Sequence, residues 1–487
     1  MSHHLILSTE EVPNARAKKL LIAMILAATS LTGCTVGPKY RKPAVQVPTA
    51  YHGPKDDSQD QAQAAAQAQA ASIADLPWWQ VFQDPVLQDL IRRALQQNYD
   101  LQIATEKITY ARAQLTVTRS NQYPQVNASG YGTDERAFQG FPFKTKYATY
   151  AADATFQLDL FGQLRRQTES ARAQVLASDY GRKATILTLV SDLASDYFVL
   201  LDLDLQLQIT RDTVKTQEDA VKLTRYRLEH GVATSLDVLQ AKQVLDTANA
   251  QIPELQRQIG LEEDAISILV GDYPHSVVRG RPLVDQPFPA EVPAGLPSSL
   301  LARRPDILQA EQNLVSANAQ IGVAKAAFFP QISLTGTGGG AIGRSTVFTS
   351  IINSNLGTWG AAAQITQPIF EAGRLRGNLR AAESQQRQYL ISYKQAIQGA
   401  FKDVSDALIA YEQFHQVRVA QEVTVKDLSD SVATSLKRYR GGIATYLEVL
   451  DNQRSLFSAQ LTLAQDRGNE FQSLVQIYKA LGGGWQQ

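Results

Sequence analysis

Apolar residues recur at every seventh position in two long stretches of this chain. Ile186, Leu193, Leu200, Leu207, Val214, Val221 and Leu228 form one unbroken series, and Val238, Leu245, Ile252, Ile259 and Ile266 form a second. A spacing of seven keeps one helical stripe facing its neighbour over many turns, so each series predicts a coiled-coil seam. Moving 211 positions along gives Ile397, Val404, Tyr411, Arg418, Val425, Val432 and Tyr439, then Val449, Leu456, Leu463, Glu470 and Ile477. Arg418 and Glu470 are the charged exceptions. The preserved phase predicts a tandem internal repeat.

A short turn separates the two arms of each copy: Gly231-Val-Ala-Thr-Ser-Leu-Asp-Val-Leu239 and Gly442-Ile-Ala-Thr-Tyr-Leu-Glu-Val-Leu450. Gly231 and Gly442 suit the left-handed residue that ends a helix. Thr234 or Ser235, and Thr445, suit the cap of the returning helix. Each turn is therefore expected to be the tip of a helical hairpin. The first arm, from Gly162 to about Glu229, has no internal proline; as a helix it is a rod on the order of 100 Å long. Pro253 is expected to bend the return arm or break its hydrogen bonding.

Elsewhere the period is two. Ala148, Tyr150, Ala152, Ala154, Phe156, Leu158 and Leu160 alternate with residues such as Thr149, Asp153, Thr155, Gln157 and Asp159. That pattern predicts a strand with one apolar and one wet face. An earlier strand is expected over Val126–Thr133, with a loop over Phe138–Lys146. The second copy shows a strand through Ile332, Leu334 and Gly336, a Gly- and Ser-rich loop from Gly338 to Ser354, and a strand from Thr358 to Phe370. Repeat one starts with Asp84-Pro-Val-Leu-Gln-Asp-Leu-Ile91 and a helix from about Tyr99 to Asn121; that helix and the one led by Arg304-Pro-Asp-Ile307 stop at Tyr123-Pro124 and Phe329-Pro330, because the residue before proline disfavours helical geometry.

The N-terminus has Arg16, Lys18 and Lys19, an apolar run from Leu20 to Leu31, and then Leu31-Thr-Gly-Cys34. This reads as a secretory signal, too short to span a bilayer. Leu-Thr-Gly-Cys resembles a bacterial lipobox, which makes Cys34 the lipidation site; the alternative is a chance cysteine after a plain signal. Cys34 is the only cysteine, so no disulfide framework is available. Thr35 rather than aspartate follows, favouring delivery to the outer membrane. The expected boundaries are 1–33 for the signal peptide, 34–75 for a lipidated tether and 76–281 for repeat one, with a β-hairpin at 124–161 and a helical hairpin at 162–271. A proline-rich crossover at 282–303 leads to repeat two at 304–487, with its hairpins at 330–371 and 372–482.

Four strands with an apolar outer face cannot close alone in lipid, where open edges are not tolerated and barrels begin at about eight strands. Oligomerisation is expected, with the helices, too polar for lipid, in the periplasm. The formal net charge of zero gives no electrostatic reason to expect nucleic acid. The six histidines are scattered, without metal-ligand spacing, and no phosphate-cradling motif precedes a helix. The expectation is a non-enzyme with no metal and no cofactor beyond the lipid on Cys34.

The chain resembles the TolC-type outer membrane factors, specifically the NodT or OprM-like efflux lipoproteins. The resemblance is carried by Cys34-Thr-Val-Gly-Pro-Lys-Tyr40 with Pro43, Arg303-Arg-Pro-Asp306, Phe329-Pro330, Pro368-Ile-Phe370, the two glycine tips and Tyr478-Lys-Ala-Leu-Gly-Gly-Gly-Trp485. It implies an α+β membrane channel. A homotrimer, four strands per chain, forms a twelve-stranded outer-membrane β-barrel continued by a long periplasmic α-helical barrel.

The implied partners are a periplasmic membrane fusion (adaptor) protein, an inner-membrane efflux transporter of the resistance-nodulation-division type and outer-membrane lipid. The family closes its channel just after the second tip glycine, which puts Leu447, Asp451 and Arg454 at the apolar plug, carboxylate ring and stabilising arginine. The alternative is that Asp451 and Arg454 are an exposed intrahelical pair. Gly231, Thr234, Leu236, Asp237, Gly442 and Thr445 form the tips, where an adaptor is expected to dock. Two other functions remain open: a duct for type I protein secretion, and a periplasmic coiled-coil adaptor that forms no pore. Exported cargo is not readable from the sequence.

Overall fold

The computed structural model describes residues 35–48, 51–52, 72–137, 143–287, 299–345 and 356–485. Cys34 and the signal segment lie outside the described residues. Helices longer than one turn and strands follow in this order: α1 (Pro85–Gln97), α2 (Tyr99–Ser120), β1 (Gln125–Ala137), β2 (Phe143–Leu158), α3 (Gln163–Glu229), α4 (Ser235–Val270), α5 (Pro305–Ala326), β3 (Gln331–Ser345), β4 (Leu356–Thr366), α6 (Arg374–Arg440) and α7 (Tyr446–Ala480). Both copies thus read helix, strand pair, long helix, shorter helix, with α1 an additional helix ahead of the first. The chain divides into two compact units.

The first unit comprises the described residues of Met1–Lys42, Ala111–Gln174 and Leu314–Tyr389. Its sheet is antiparallel in the order β1-β2-β3-β4. The copies meet at the centre, where β2 pairs β3 from Thr145↔Ser345 to Leu158↔Ile332. Among the described residues β1 and β4 each have one neighbour and leave an unpaired edge. The even positions Ala148, Tyr150 and Ala152 are exposed in the single chain while Tyr147, Thr149, Ala151 and Asp153 are partly covered, as expected when the apolar side of a sheet is presented outward.

Three expectations about this unit change. Paired backbone reaches Ala137↔Phe143, so Phe143–Lys146 is strand rather than loop; ladder pairing needs only backbone donors and acceptors, and it outlasts the apolar alternation. Gly338, Gly339 and Gly340 belong to β3 for the same reason. A Cβ on Gly339 would lie 2.2 Å from Tyr150 O, so the glycine run permits close approach of β2. The last strand stops at Thr366, not Phe370, since Pro368 has no N–H to donate.

The expected tether is also partly docked. Val36 N–H donates to Phe161 O (3.1 Å), the Arg166 guanidinium donates to Val36 O and Gly37 O (3.3 Å each), and Asn318 Nδ2 donates to Pro38 O (3.1 Å).

The second unit comprises the described residues of Pro43–Tyr110, Val175–Asn313 and Leu390–Gln487. It is helical, with a core of Leu189, Leu193, Tyr197 and Leu200 of α3 against Leu255, Ile259 and Ile266 of α4, Leu87 and Ile91 of α1, and Phe471, Val475 and Tyr478 of α7. The first-copy seam residues Ile186 to Leu207 are buried, whereas Leu228 near the tip is 37% exposed. α3 contains a stretch apolar and long enough to cross a bilayer by composition, but Leu193, Tyr197 and Leu200 there are the fully buried core.

α4 runs unbroken through Pro253. The carbonyl that the proline leaves without a donor belongs to Asn249, an exposed residue, which limits the cost to one hydrogen bond. Order also begins before the expected Leu76: Ser72 and Asp75 form a capping box around a short 3-10 turn.

Two of the sequence motifs converge in this unit. Arg304 pairs with Asp306 (2.7 Å) and Asp403 (3.0 Å) and donates to Ala480 O (3.2 Å). Trp485 Nε1 donates to Arg303 O (3.0 Å) and Tyr478 OH to Leu76 O (2.8 Å). The Arg-Arg-Pro-Asp and Tyr-Lys-Ala-Leu-Gly-Gly-Gly-Trp segments therefore fasten the end of α7 to the start of the second copy.

Candidate functional site at the paired helical tips

Both tips end their incoming helix in the same way. Gly231 and Gly442 have φ of 73° and 74°, left-handed values that glycine adopts without steric cost. Their N–H groups donate to Leu228 O (3.0 Å) and Tyr439 O (3.1 Å), and the next residues, Val232 and Ile443, donate to Arg227 O (2.9 Å) and Arg438 O (3.0 Å). These are Schellman closures, satisfying carbonyls that the helix end would leave orphaned.

The outgoing helices differ. Thr234 caps α4: Asp237 N–H donates to Thr234 Oγ1 (3.2 Å), and Thr234 N–H donates back to Asp237 Oδ2 (2.7 Å). That reciprocal pair is a capping box. Thr445 occupies the equivalent position, but its side chain makes no capping bond, a correction to the expected role. Glu448, which could complete a second box, instead faces Arg438 Nε at 3.6 Å.

The tips are packed together. Val221 of α3 and Ala241 of α4 bury against Tyr439 of α6 and Tyr446, Val449 and Leu450 of α7. The rings of Tyr439 and Tyr446 lie 5.1 Å apart, and the Arg227 guanidinium sits 4.3 Å over the Tyr439 ring, a cation–π contact between the copies. Burial pushes the Tyr446 hydroxyl above its ordinary pKa. The sequence reading missed this stack. Its signal was present in the repeat, since Tyr439 and Tyr446 stand where the first copy has Leu228 and Ser235.

Leu447, Asp451 and Arg454 share the opposite, exposed side of α7, four and three residues apart, as helical spacing requires. Leu447 is 58% exposed. Arg454 Nη2 lies 3.4 Å from Asp451 Oδ1, with both side chains open to solvent. Leu236 is exposed at the first tip, while the Asp237 carboxylate is held in the cap. The structure thus brings Gly231, Thr234, Leu236, Asp237, Gly442, Thr445 and Leu447 to one end of the helical unit, with Asp451 and Arg454 one and two turns further along α7. Among the described residues no group of three or more His, Cys, Asp and Glu side chains could hold a metal ion.

A strand pair from each copy in one open-edged sheet, with two long helical hairpins, is the architecture of solved outer-membrane channels. The outer-membrane channel OprN superposes with a TM-score of 0.83 at 29% identity, covering 93% of this chain and all of that one. The open state of the Neisseria gonorrhoeae MtrE outer membrane channel gives 0.80 at 30% identity, covering 93% and 99%.

Residues 90–272 and 296–483 match the family described as outer membrane efflux protein, and the chain belongs to that family. It is 37% identical over 474 residues to the probable efflux pump outer membrane protein TtgC of Pseudomonas putida, covering 96% of both chains. It is 34% identical over 457 residues to the cation efflux system protein CusC of Escherichia coli, covering 94% and 98%. To the probable outer membrane lipoprotein SilC of Salmonella typhimurium it is 33% identical over 472 residues, covering 96% and 99%.

Proposed function

We propose that three copies of this chain form the outer-membrane channel of a tripartite efflux pump. The observation that carries this reading is the sheet. It is four strands wide, duplicated, and open at β1 and β4, and closure in lipid demands that each edge find a partner. Joining β4 of one copy to β1 of the next three times makes a twelve-stranded barrel, within the size range of outer-membrane barrels.

In this reading the helical hairpins lie on the periplasmic side, and the protein acts as a passive duct without catalysis or cofactor. Cys34 carries a lipid; it ends a lipobox-like segment, and SilC, a relative over 96% of the chain, is called a lipoprotein. The tips, with Leu236 and Leu447 exposed, receive the helical hairpins of an adaptor that bridges to an inner-membrane transporter. Leu447, Asp451 and Arg454 form the periplasmic lock. Three carboxylates around one axis repel when ionised and are relieved by arginines from neighbouring copies. Relatives are named for the efflux of antibiotics, solvents and cations, and in this reading the inner-membrane transporter selects the cargo.

Outer-membrane fractions analysed by gel electrophoresis in detergent, with and without boiling, test the assembly. A trimer that dissociates to a single chain on heating supports it; a single chain released by washing with salt sinks it in favour of a soluble adaptor.

A further inference from the structure

The apolar face of the sheet ends on a band of cations. Register puts the even positions of β1, β2 and β3 in the same rows, with Val126 beside Ala154, Phe156 beside Leu334 and Leu158 beside Ile332. Along β2 from Leu158 back to Ala148 these positions read Leu, Phe, Ala, Ala, Tyr, Ala, and the next two are Lys146 and Lys144. Lys146 is paired in register with Asp134 on one side and Arg344 on the other, and Lys144 is paired with Arg136.

Two adjacent rows of one face therefore hold four cations and one acid. The odd rows at the same level pair Thr133 with Tyr147 and Glu135 with Thr145 and Ser345, and hold no cation. Neighbouring strands lie about 5 Å apart and successive rows about 7 Å apart. Like charges directly opposite each other across strands are destabilising, and here two such pairs, Arg136 with Lys144 and Lys146 with Arg344, occur side by side. Asp134 relieves little of this: its carboxylate is 3.9 Å from Lys146 Nζ, with the lysine side chain 72% exposed, and exposed pairs of that kind are weak. The arrangement favours an anion from outside the chain.

The height of the band says which anion. Leu158 to Ala148 is ten residue steps, about 33 Å along the strand and, at a tilt of ~40°, about 25 Å along a barrel axis. That equals the apolar band of an outer-membrane barrel, so the next row lies at the level of lipid headgroups. It is the end of β2 remote from the start of α3, hence the outer leaflet. Tyr150 and, one row nearer the helices, Trp359 are exposed just inside the cations, where interfacial aromatic residues sit.

We infer that Arg136, Lys144, Lys146 and Arg344 form a binding band for the phosphate groups of a phosphorylated lipid in the outer leaflet. The inference rests on the barrel reading above, which turns this face toward lipid. Arginine takes phosphate through two parallel N–H bonds and lysine as a point charge. A lipid suits the band better than a free anion, because its acyl chains lie along the apolar rows that begin at Ala148 while its headgroup meets the cations.

The test uses the full-length trimer purified in an alkyl maltoside and freed of co-purified lipid. Native mass spectrometry compares lipid A as probe in its diphosphorylated and fully dephosphorylated forms. The diphosphorylated form is expected to bind more tightly by roughly tenfold or more, as one charge-assisted contact supplies, and its advantage is expected to shrink as salt rises. Arg136→Gln, Lys144→Gln, Lys146→Gln and Arg344→Gln together are expected to erase the preference while the trimer and its conductance are kept.

Equal binding of the two forms by the unsubstituted trimer overturns the band even if the fourfold variant fails to assemble. An undiminished preference in that variant overturns it as well, as does displacement of the lipid by millimolar inorganic phosphate. A chain that forms no trimer brings down the barrel together with the band, whereas a conducting trimer indifferent to the phosphates overturns the band alone.

Discussion

Arg418 and Glu470, the charged members of the second-copy seams, are partners: the Arg418 guanidinium donates from Nε to the Glu470 carboxylate. The Glu470 side chain is 1% exposed, and His415 Nδ1 lies 2.7 Å from its other oxygen. Arg418 also reaches Glu422 (2.9 Å), which Arg467 holds from α7 at the same distance. The two charged seam positions are compatible with the packing of α6 on α7 because the charges meet.

The first copy shows what the seam looks like without them, since Leu207 and Ile259 occupy the corresponding positions and are buried. Arg418→Leu alone strands a buried carboxylate and is expected to cost about 3–5 kcal/mol. Adding Glu470→Ile, which restores the first copy's pair, is expected to recover most of that loss. Denaturant unfolding of Arg418→Leu, of Glu470→Ile and of the double variant checks the coupling; additive losses in the double variant refute it.

A second acid layer gives a pH dependence of known sign. Leu189, Asp196 and Leu203 step along α3, and Leu255, Glu262 and Leu269 along α4, each at spacing seven. Burial, reinforced by Asp192, raises Asp196 to about 6; burial, reinforced by Asp196, raises Glu262 to about 7. Raised acids favour the folded state while protonated, so stability falls as pH rises from about 4 to about 7 and then levels. Glu262→Gln is expected to flatten part of that fall in thermal unfolding profiles. An identical profile in the variant contradicts the assignment.

The tips should respond unequally to the same substitution. Thr234→Ala removes the hydroxyl that accepts from Asp237 N–H and donates to Asp237 Oδ2, leaving only the backbone half of the capping box, and is expected to loosen the start of α4 by about 1 kcal/mol. Thr445→Ala removes no capping bond and should change the start of α7 far less. Hydrogen exchange at residues 235–239 and 446–450 reads the two directly.

Sequence pattern exposed the helices, tips and duplication because a period of seven sustained over many turns arises from little else than helices packed side by side. It misplaced strand ends where Lys144, Lys146 and Gly338–Gly340 break the alternation, since backbone pairing continues beneath side chains that carry no such pattern. It read Thr445 as a cap because residue type alone does not say whether a side chain bends back to its own helix. The docking of residues 35–38 was invisible, for its carbonyls are held by Arg166 and Asn318, far away in sequence. Leu447, Asp451 and Arg454 could be aligned by resemblance; their common exposed face on α7 needed coordinates.

If these three residues form the lock, Asp451→Ala combined with Arg454→Ala should raise conductance and make an outer membrane that carries the channel more permeable to large antibiotics. Growth inhibition by such antibiotics in a strain expressing the variant, compared at equal protein level with wild type, checks this. Unchanged sensitivity returns the pair to an exposed intrahelical contact at 3.4 Å.

The central claim, that copies of this chain close into a trans-membrane pore, is tested most directly by single-channel recording of the purified full-length protein in planar bilayers. Discrete, uniform current steps from heat-sensitive trimers are the predicted result. A protein that inserts without steps, or conducts only as irregular leaks from single chains, would contradict it.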